Sequence, residues 1–119
     1  MEITQEHNER MAKMTFASVY PHYVTKITKK WRTLEELHQV ISWLTWYNQS
    51  DIENIIEKNL SFEDFFKDIT LHPNAEKITG TICWYRIEDI ENPTTRKVRY
   101  LDKLVDELAK GRKMEKILR

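Results

Sequence analysis

Apolar residues recur at helical spacing along most of this chain from residue 15 onward. Residues 34–46 and the following Tyr47 carry two neighbouring apolar rows, which consist of Leu34, Leu37, Ile41 and Leu44 and of Val40, Trp43 and Tyr47. So wide an apolar stripe is typical of a helix that packs against more than one neighbour. The same spacing predicts helices over residues 21–30, 51–59 and 62–69. A longer helix is predicted from Asn92-Pro93 to Gly111, followed by a final helical turn.

Three hydroxyl residues, each followed three positions later by a carboxylate, mark helix starts. They are Thr33 with Glu36, Ser50 with Glu53, and Ser61 with Asp64. The hydroxyl can accept from a backbone N–H of the first turn, while the carboxylate reaches back to the N–H of the cap. Pro21 suits the first helical position, where its missing N–H costs nothing, so we expect a helix to begin there.

Residues 76–90 have the least decided pattern. Ile78, Ile82 and Ile90 match a helical period, whereas the run T-I-C-W-Y-R-I is rich in strand-forming residues. An isolated strand needs a partner, and no second strand is predicted elsewhere in the chain. We therefore favour a helix here, with a short extended segment near residues 78–87 as the alternative.

These elements predict an all-α fold, in which residues 15–119 form one compact domain of five or six short helices. Residues 1–14 show no clear period and are expected to form a flexible N-terminal segment. A chain of 119 residues can bury one core without a metal or a disulfide. Cys83 is the only cysteine, and we expect its small side chain to be buried. The tryptophans, Trp31, Trp46 and Trp84 included, are expected to fill the core.

The composition, 40% hydrophobic and 32% charged, is usual for a soluble globular protein. No apolar run approaches the length of about 18 residues that would suggest a membrane span. The first thirteen residues are polar and of mixed charge, unlike a signal or transit peptide. We therefore expect a cytoplasmic protein that does not associate with a membrane.

Charge is unevenly distributed, although the formal net charge is zero. Residues 1–49 carry six basic and five acidic groups, residues 50–93 four and ten, and residues 94–119 nine and four. The basic C-terminal segment can either pack against the acidic middle of the chain or bind an external anion.

Candidate anion-binding residues come mainly from this basic segment, and they are Arg96, Arg99, Lys103, Arg112 and Lys113. The first three share a helix face, and their ligand would be a phosphate group or a nucleic acid. The alternative is a solvated face that is paired with acidic side chains. A second basic run comprises Lys26, Lys29, Lys30 and Arg32. Residues 33–59 also resemble a helix–turn–helix, but the acidic second helix would repel DNA phosphates.

Catalytic candidates are few. Tyr20, His22 and Lys26 lie close in sequence, and a histidine near a tyrosine or lysine could move protons. No sequence motif completes a catalytic set around them, so an enzyme is the less favoured class. The four histidines, His7, His22, His38 and His72, lack metal-ligand spacing, and neither a metal nor a cofactor is predicted.

Three stretches resemble a known bacterial family. They are F-A-S-V-Y-P-H-Y-V-T-K, R-T-L-E-E-L-H-Q-V-I-S-W-L-T-W-Y and I-E-D-I-E-N-P-T-T-R-K-V-R-Y-L-D-K-L-V-D-E-L-A-K-G-R-K-M-E-K-I-L-R. Together they resemble the small proteins grouped as domain of unknown function 2200. The resemblance covers nearly everything after Met14. It implies a small stand-alone cytoplasmic protein and supplies no activity, ligand or catalytic residue.

Where glycine is expected in that family, this chain has Trp31, Trp46 and Trp84. Two glycines are few for the ends of five or six helices, and Trp31 and Trp46 lie near predicted helix ends. One hypothesis is that these three codons are UGA and are read as glycine in the source of the gene. The other is that three genuine substitutions fill pockets or lengthen helices. Under the first hypothesis, the tryptophan side chains would be awkwardly exposed.

The sequence thus favours a small binding or protein-interaction module, with a protein partner or a second copy of the chain bound to it. The alternative is a nucleic-acid- or phosphate-associated protein that uses the basic C-terminal helix. A small enzyme around Tyr20, His22 and Lys26 is the second alternative.

Overall fold

The computed structural model describes residues 3–119, which contain seven α-helices and one small hairpin. The helices are α1 (Gln5–Lys13), α2 (Phe16–Thr28), α3 (Leu34–Thr45), α4 (Gln49–Glu57), α5 (Phe62–Lys67), α6 (Pro93–Ala109) and α7 (Met114–Ile117). The antiparallel hairpin, β1 (Thr81–Ile82) and β2 (Tyr85–Arg86), lies between α5 and α6 and is flanked by two single 3-10 turns. The prediction of a mainly helical, single compact domain is confirmed.

Helix α6 is the centre of the fold. It is the longest helix, and nine of its seventeen residues are buried. Leu101, Leu104 and Leu108 are fully enclosed, and α1, α2, α3, α5 and α7 all pack against the helix. No helix described for residues 3–119 is long and apolar enough to cross a lipid bilayer.

Two of the three predicted helix starts are confirmed. Thr33 and Glu36 form a reciprocal capping box, in which the Thr33 hydroxyl accepts from the Glu36 N–H at 3.1 Å and the Glu36 carboxylate accepts from the Thr33 N–H at 3.0 Å. Ser61 caps α5 by accepting from the Asp64 N–H. These two helix starts could be predicted because the capping residue and its partner lie only three positions apart in the sequence.

The third predicted start was wrong. Asn48 caps α4, since its side chain accepts from the Asp51 N–H at 2.8 Å and Asp51 accepts from the Asn48 N–H at 2.9 Å. Ser50 lies inside the helix. Asn48 and Asp51 form the reciprocal cap that was predicted for Ser50 and Glu53, so the helix starts two residues earlier than predicted.

Helix α2 begins earlier than predicted. Thr15 caps it by accepting from the Ser18 N–H, and Phe16 is fully buried in its first turn. Pro21 therefore lies within the helix and not at its start. The cap and the burial of Phe16 outweigh the backbone hydrogen bond that Pro21 cannot donate.

Residues 5–13 form a helix, although the sequence placed them in a flexible segment outside the domain. Thr4 caps α1, Met11 is buried, and the Thr95 hydroxyl donates to Asn8 Oδ1 at 2.7 Å. The helix packs against α5 and α6. With α1, the number of helices exceeds the predicted five or six. This helix was not predicted, because its single buried residue, Met11, produces no apolar period.

The preference for a helix over residues 76–90 was wrong, and the extended alternative is confirmed. The strand finds its partner in the same segment, where Ile82 pairs with Tyr85 across the turn Cys83-Trp84. Because it lies in this turn, Cys83 is exposed and not buried. Trp31, Trp46 and Trp84 are also exposed, contrary to the prediction that they fill the core.

Candidate anion-binding site

The two basic segments of the chain meet at the ends of α2 and α6. Lys26 Nζ lies 3.2 Å from Asp106 Oδ1, and Lys110 Nζ lies 2.9 Å from Asp106 Oδ2. Arg32 donates to the backbone carbonyl of Arg112 at 2.8 Å. The Lys26–Asp106 and Arg32–Arg112 contacts each join residues that are 80 positions apart in sequence, and they bring the basic run at the end of α2 beside the basic C-terminal segment.

Asp106 is held in its charged form between two lysines. Burial opposes the ionisation of this carboxyl, but hydrogen bonds from Lys110 and Lys26 outweigh it and lower the pKa below its ordinary value. Asp106 therefore carries its negative charge throughout the neutral range and fixes two cations at the edge of the site.

Glu107 is the buried anchor of the same region. Its side chain is only 6% exposed, and its Oε2 accepts from Arg112 and from Arg119 at 2.6 Å each. Two guanidinium groups on one carboxylate leave an excess of positive charge. The other oxygen, Oε1, is buried and has no hydrogen-bond partner within the part of the chain that the structure describes.

A cleft of about 530 Å³ opens over these side chains. It is lined by Thr79, Lys103, Asp106, Glu107, Lys110, Arg112, Lys116 and Arg119. Five lining residues are cationic and two are anionic, so the lining has a positive balance even after its internal ion pairs are counted. Concave surfaces lined with one sign of charge raise the local concentration of ligands of the opposite sign. The cleft can therefore hold a phosphate or another compact anion.

The structure does not bring the five predicted anion-binding residues together in one site. Lys103 and Arg112 line the cleft, and Lys113 is exposed next to Arg112. Arg96 donates to the carbonyl of Ile90. Arg99 lies in a separate cluster.

Three cleft cations were absent from the prediction, and they are Lys110, Lys116 and Arg119. Lys110 could have been found, because it follows α6 directly and lies seven residues after Lys103, close to the same side of the helix. Arg119 could not, because its place beside Glu107 depends on how α7 folds back onto α6.

Arg99 belongs to a polar cluster that ties α2, α6 and the hairpin together. It lies 2.9 Å from Asp102 Oδ2 and 3.4 Å from Cys83 Sγ, and it lies over the ring of Tyr85. The Tyr23 hydroxyl donates to the other Asp102 oxygen at 2.6 Å. With Asp102 already occupied on both oxygens, this arrangement stabilises the fold and leaves Arg99 little freedom to bind a ligand.

The catalytic candidates acquire separate partners. The Tyr20 hydroxyl lies 2.5 Å from His38 Nε2, His22 is exposed, and Lys26 pairs with Asp106. No hydrogen bond or ion pair described for residues 3–119 joins two of the three candidates. In the same range, no group of three or more His, Cys, Asp or Glu side chains is placed so that it could hold a metal ion.

The fold and the cleft define a small helical protein with a basic cleft beside the end of its central helix. Residues 10–119 match the sequence model of a family described as an uncharacterized protein conserved in bacteria, domain of unknown function 2200, and the chain belongs to that family. The crystal structure of the uncharacterized protein SP1917 is similar, with 38% sequence identity and a TM-score of 0.85. The match covers 99% of this chain and 94% of that chain. No curated protein matches.

Proposed function

We propose that this protein is a small cytoplasmic binding module whose basic cleft takes a phosphate-bearing ligand. The five cations that line the cleft around Asp106 and Glu107 carry the proposal. Of the alternatives that the sequence left open, the phosphate-associated protein gains this geometric support. The enzyme does not, because its three candidate residues have separate partners.

The cleft combines cations of fixed orientation with an exposed, adjustable one, and this combination supports a phosphate ligand. Arg112 and Arg119 are fixed by Glu107, so their orientation is set before a ligand arrives. Lys116 is exposed and can adjust to phosphate oxygens, whereas Lys110 is held in place by Asp106. Glu107 lines the cleft and holds both guanidinium groups, whose paired N–H donors suit the phosphate groups of nucleotides and nucleic acids.

The test compares two double variants of equal charge change. Lys110→Gln with Lys116→Gln neutralises two cations of the cleft, whereas Lys58→Gln with Lys67→Gln neutralises two exposed lysines outside it. Binding of a fluorescent single-stranded oligonucleotide is measured by anisotropy over a range of salt concentrations. We expect the first variant to lose roughly tenfold in affinity and to show a smaller salt slope, because fewer phosphates are neutralised.

The control variant should bind as the unaltered chain does. Competition with inorganic phosphate and with a mononucleotide distinguishes a small ligand from a strand, since a small ligand would displace the oligonucleotide at low concentration. The proposal is wrong if the unaltered chain does not bind at low salt, or if both variants lose affinity equally.

A further inference from the structure

Three of the four tryptophans adopt a backbone conformation that tryptophan rarely takes. Trp31, Trp46 and Trp84 have φ angles of 65°, 68° and 73°. Left-handed φ values bring the Cβ atom of an L-residue close to the neighbouring carbonyl, so glycine is the usual occupant and a bulky residue is an outlier. The fourth tryptophan, Trp43, lies within α3 and packs against the core and the ring of His72.

At Trp31 the helix ending is the same as at two other places in the chain. The Trp31 N–H donates to the Thr28 carbonyl and the Arg32 N–H donates to the Ile27 carbonyl, a pair of bonds known as a Schellman motif. Helices α4 and α6 end with the same pair of bonds. The left-handed position is filled by Asn59 after α4 and by Gly111 after α6. Asparagine and glycine are the two residues that tolerate this conformation well.

Trp46 and Trp84 occupy two other positions that favour glycine. Trp46 ends α3 in a left-handed conformation, and its N–H donates to the Ser42 carbonyl at 2.8 Å. Trp84 is the second residue of the two-residue turn between β1 and β2, and Cys83 before it also has a positive φ. A hairpin turn with two positive φ values is the type that prefers glycine at its second position.

The three side chains do not compensate for their backbone strain. Trp31 is 93% exposed, Trp84 87% and Trp46 64%. Of the three rings, only that of Trp46 stacks on another ring within residues 3–119, at 5.5 Å from the ring of His72. Tryptophan stabilises proteins chiefly by burying its large ring. At these positions the backbone requires a small residue, and the side chain contributes little burial in return.

We propose that the native protein carries glycine at positions 31, 46 and 84. Their codons are then UGA, read as glycine in the organism of origin, whereas Trp43 is encoded by UGG. This inference is independent of the phosphate ligand. It also changes two surfaces, because it removes an exposed indole between Lys30 and Arg32 and another from the wall of a cavity of about 650 Å³ beside the hairpin. Exposed tryptophan at these positions is then no evidence for a protein-binding face.

The gene sequence tests the proposal directly. We expect UGA at codons 31, 46 and 84 and UGG at codon 43. Peptide mass spectrometry of the protein from its native source should find glycine at the three positions and tryptophan at Trp43. UGG at any of the three codons, or a native peptide with tryptophan at one of them, would overturn the proposal for that position.

Stability provides a second, independent test. The triple variant Trp31→Gly, Trp46→Gly, Trp84→Gly should melt higher than the chain with tryptophan by roughly 5 °C or more, because backbone strain is relieved at three places. Trp43→Gly is the matched control and should melt lower, since it removes a packed ring from a helix interior. A triple variant that melts lower would contradict the proposal.

Gly111→Ala measures the strain in isolation. A Cβ atom at Gly111 would meet no atom within 4 Å, so any loss of stability there comes from the backbone conformation and not from a clash. We expect the melting temperature to fall by several degrees. A Gly111→Ala chain as stable as the unaltered one would remove the strain argument on which the proposal depends.

Discussion

Tyr23 joins α2 to α6 through one short hydrogen bond. The residue is 6% exposed, and its hydroxyl donates to Asp102 at 2.6 Å while Arg99 occupies the other carboxylate oxygen. Burial raises the pKa of Tyr23 well above its ordinary value, and the charge of Asp102 adds to this effect. The folded state therefore requires the neutral hydroxyl, and alkaline conditions act against it.

The variant Tyr23→Phe removes the hydroxyl and keeps the ring in the core. At neutral pH we expect the free energy of unfolding to fall by about 1 kcal/mol, because one buried hydrogen bond is lost. The folded pKa lies above the unfolded value of 10.0, so the contribution of Tyr23 is complete below pH 10 and is lost as the pH rises further. Urea unfolding from neutral pH to about pH 11 should therefore show a shallower alkaline decline in the variant.

Some alkaline decline should remain in the Tyr23→Phe variant. Burial also raises the pKa of Tyr20, Tyr47 and Tyr100, so these residues keep part of the slope. Identical slopes above pH 10 in the two proteins would show that Tyr23 is not coupled to the fold in this way.

At the scale of the elements, Thr33 and Ser50 provide a matched pair of substitutions. Thr33→Ala removes one half of the capping box of α3 and should lower the free energy of unfolding by about 1 kcal/mol. Ser50→Ala lies within α4, where Asn48 is the cap, and should change the free energy of unfolding by less than about 0.5 kcal/mol. Chemical denaturation of both variants measures the difference. Equal losses would mean that Ser50 has a capping role after all.

The same contrast shows which elements could be predicted from sequence. The caps at Thr33 and Ser61 depend on residues three positions apart, and the sequence contains that information. The start of α2 depends on the burial of Phe16 against the ring of Phe65, which belongs to a different helix. Because a contact between helices leaves no local pattern, the start was wrongly predicted at Pro21. The hairpin depends on the turn after Ile82, where tryptophan stands at the position that usually reveals such a turn by its glycine.

The candidate site was predictable in part for the same reason. Lys103 and Arg112 were found because charge clusters along the sequence. The contact between Arg32 and Arg112 joins two segments that only the packing of α2 on α6 brings together. The ion pairs Arg99–Asp102 and Arg112–Glu107 match the alternative of a basic face paired with acidic side chains. The cleft itself could not be predicted, because long-range contacts have no local pattern in the sequence.

At the scale of the whole molecule, α1 completes the covering of α6. Met11 is buried in the common core, and Asn8 provides the partner of the Thr95 hydroxyl, which is itself fully buried. The segment after α1 is tied to α5, because the Phe62 N–H donates to the Met14 carbonyl and the Phe16 N–H donates to the Leu60 carbonyl. We therefore expect the N-terminal helix to unfold together with the rest of the domain.

A chain that begins at Met14 tests this conclusion. We expect its melting temperature to fall by roughly 10 °C or more, because α6 loses an apolar contact and Thr95 loses its hydrogen-bond partner. Met11→Ala should reproduce part of the loss, about 2–4 kcal/mol in the free energy of unfolding, whereas Lys13→Ala on the exposed face of α1 should cost less than about 0.5 kcal/mol. If residues 1–14 were the flexible segment that the sequence suggested, the truncated chain would melt at the same temperature as the full chain. Calorimetry on the four proteins separates these outcomes, since loss through Met11 and not through Lys13 identifies packing as the cause.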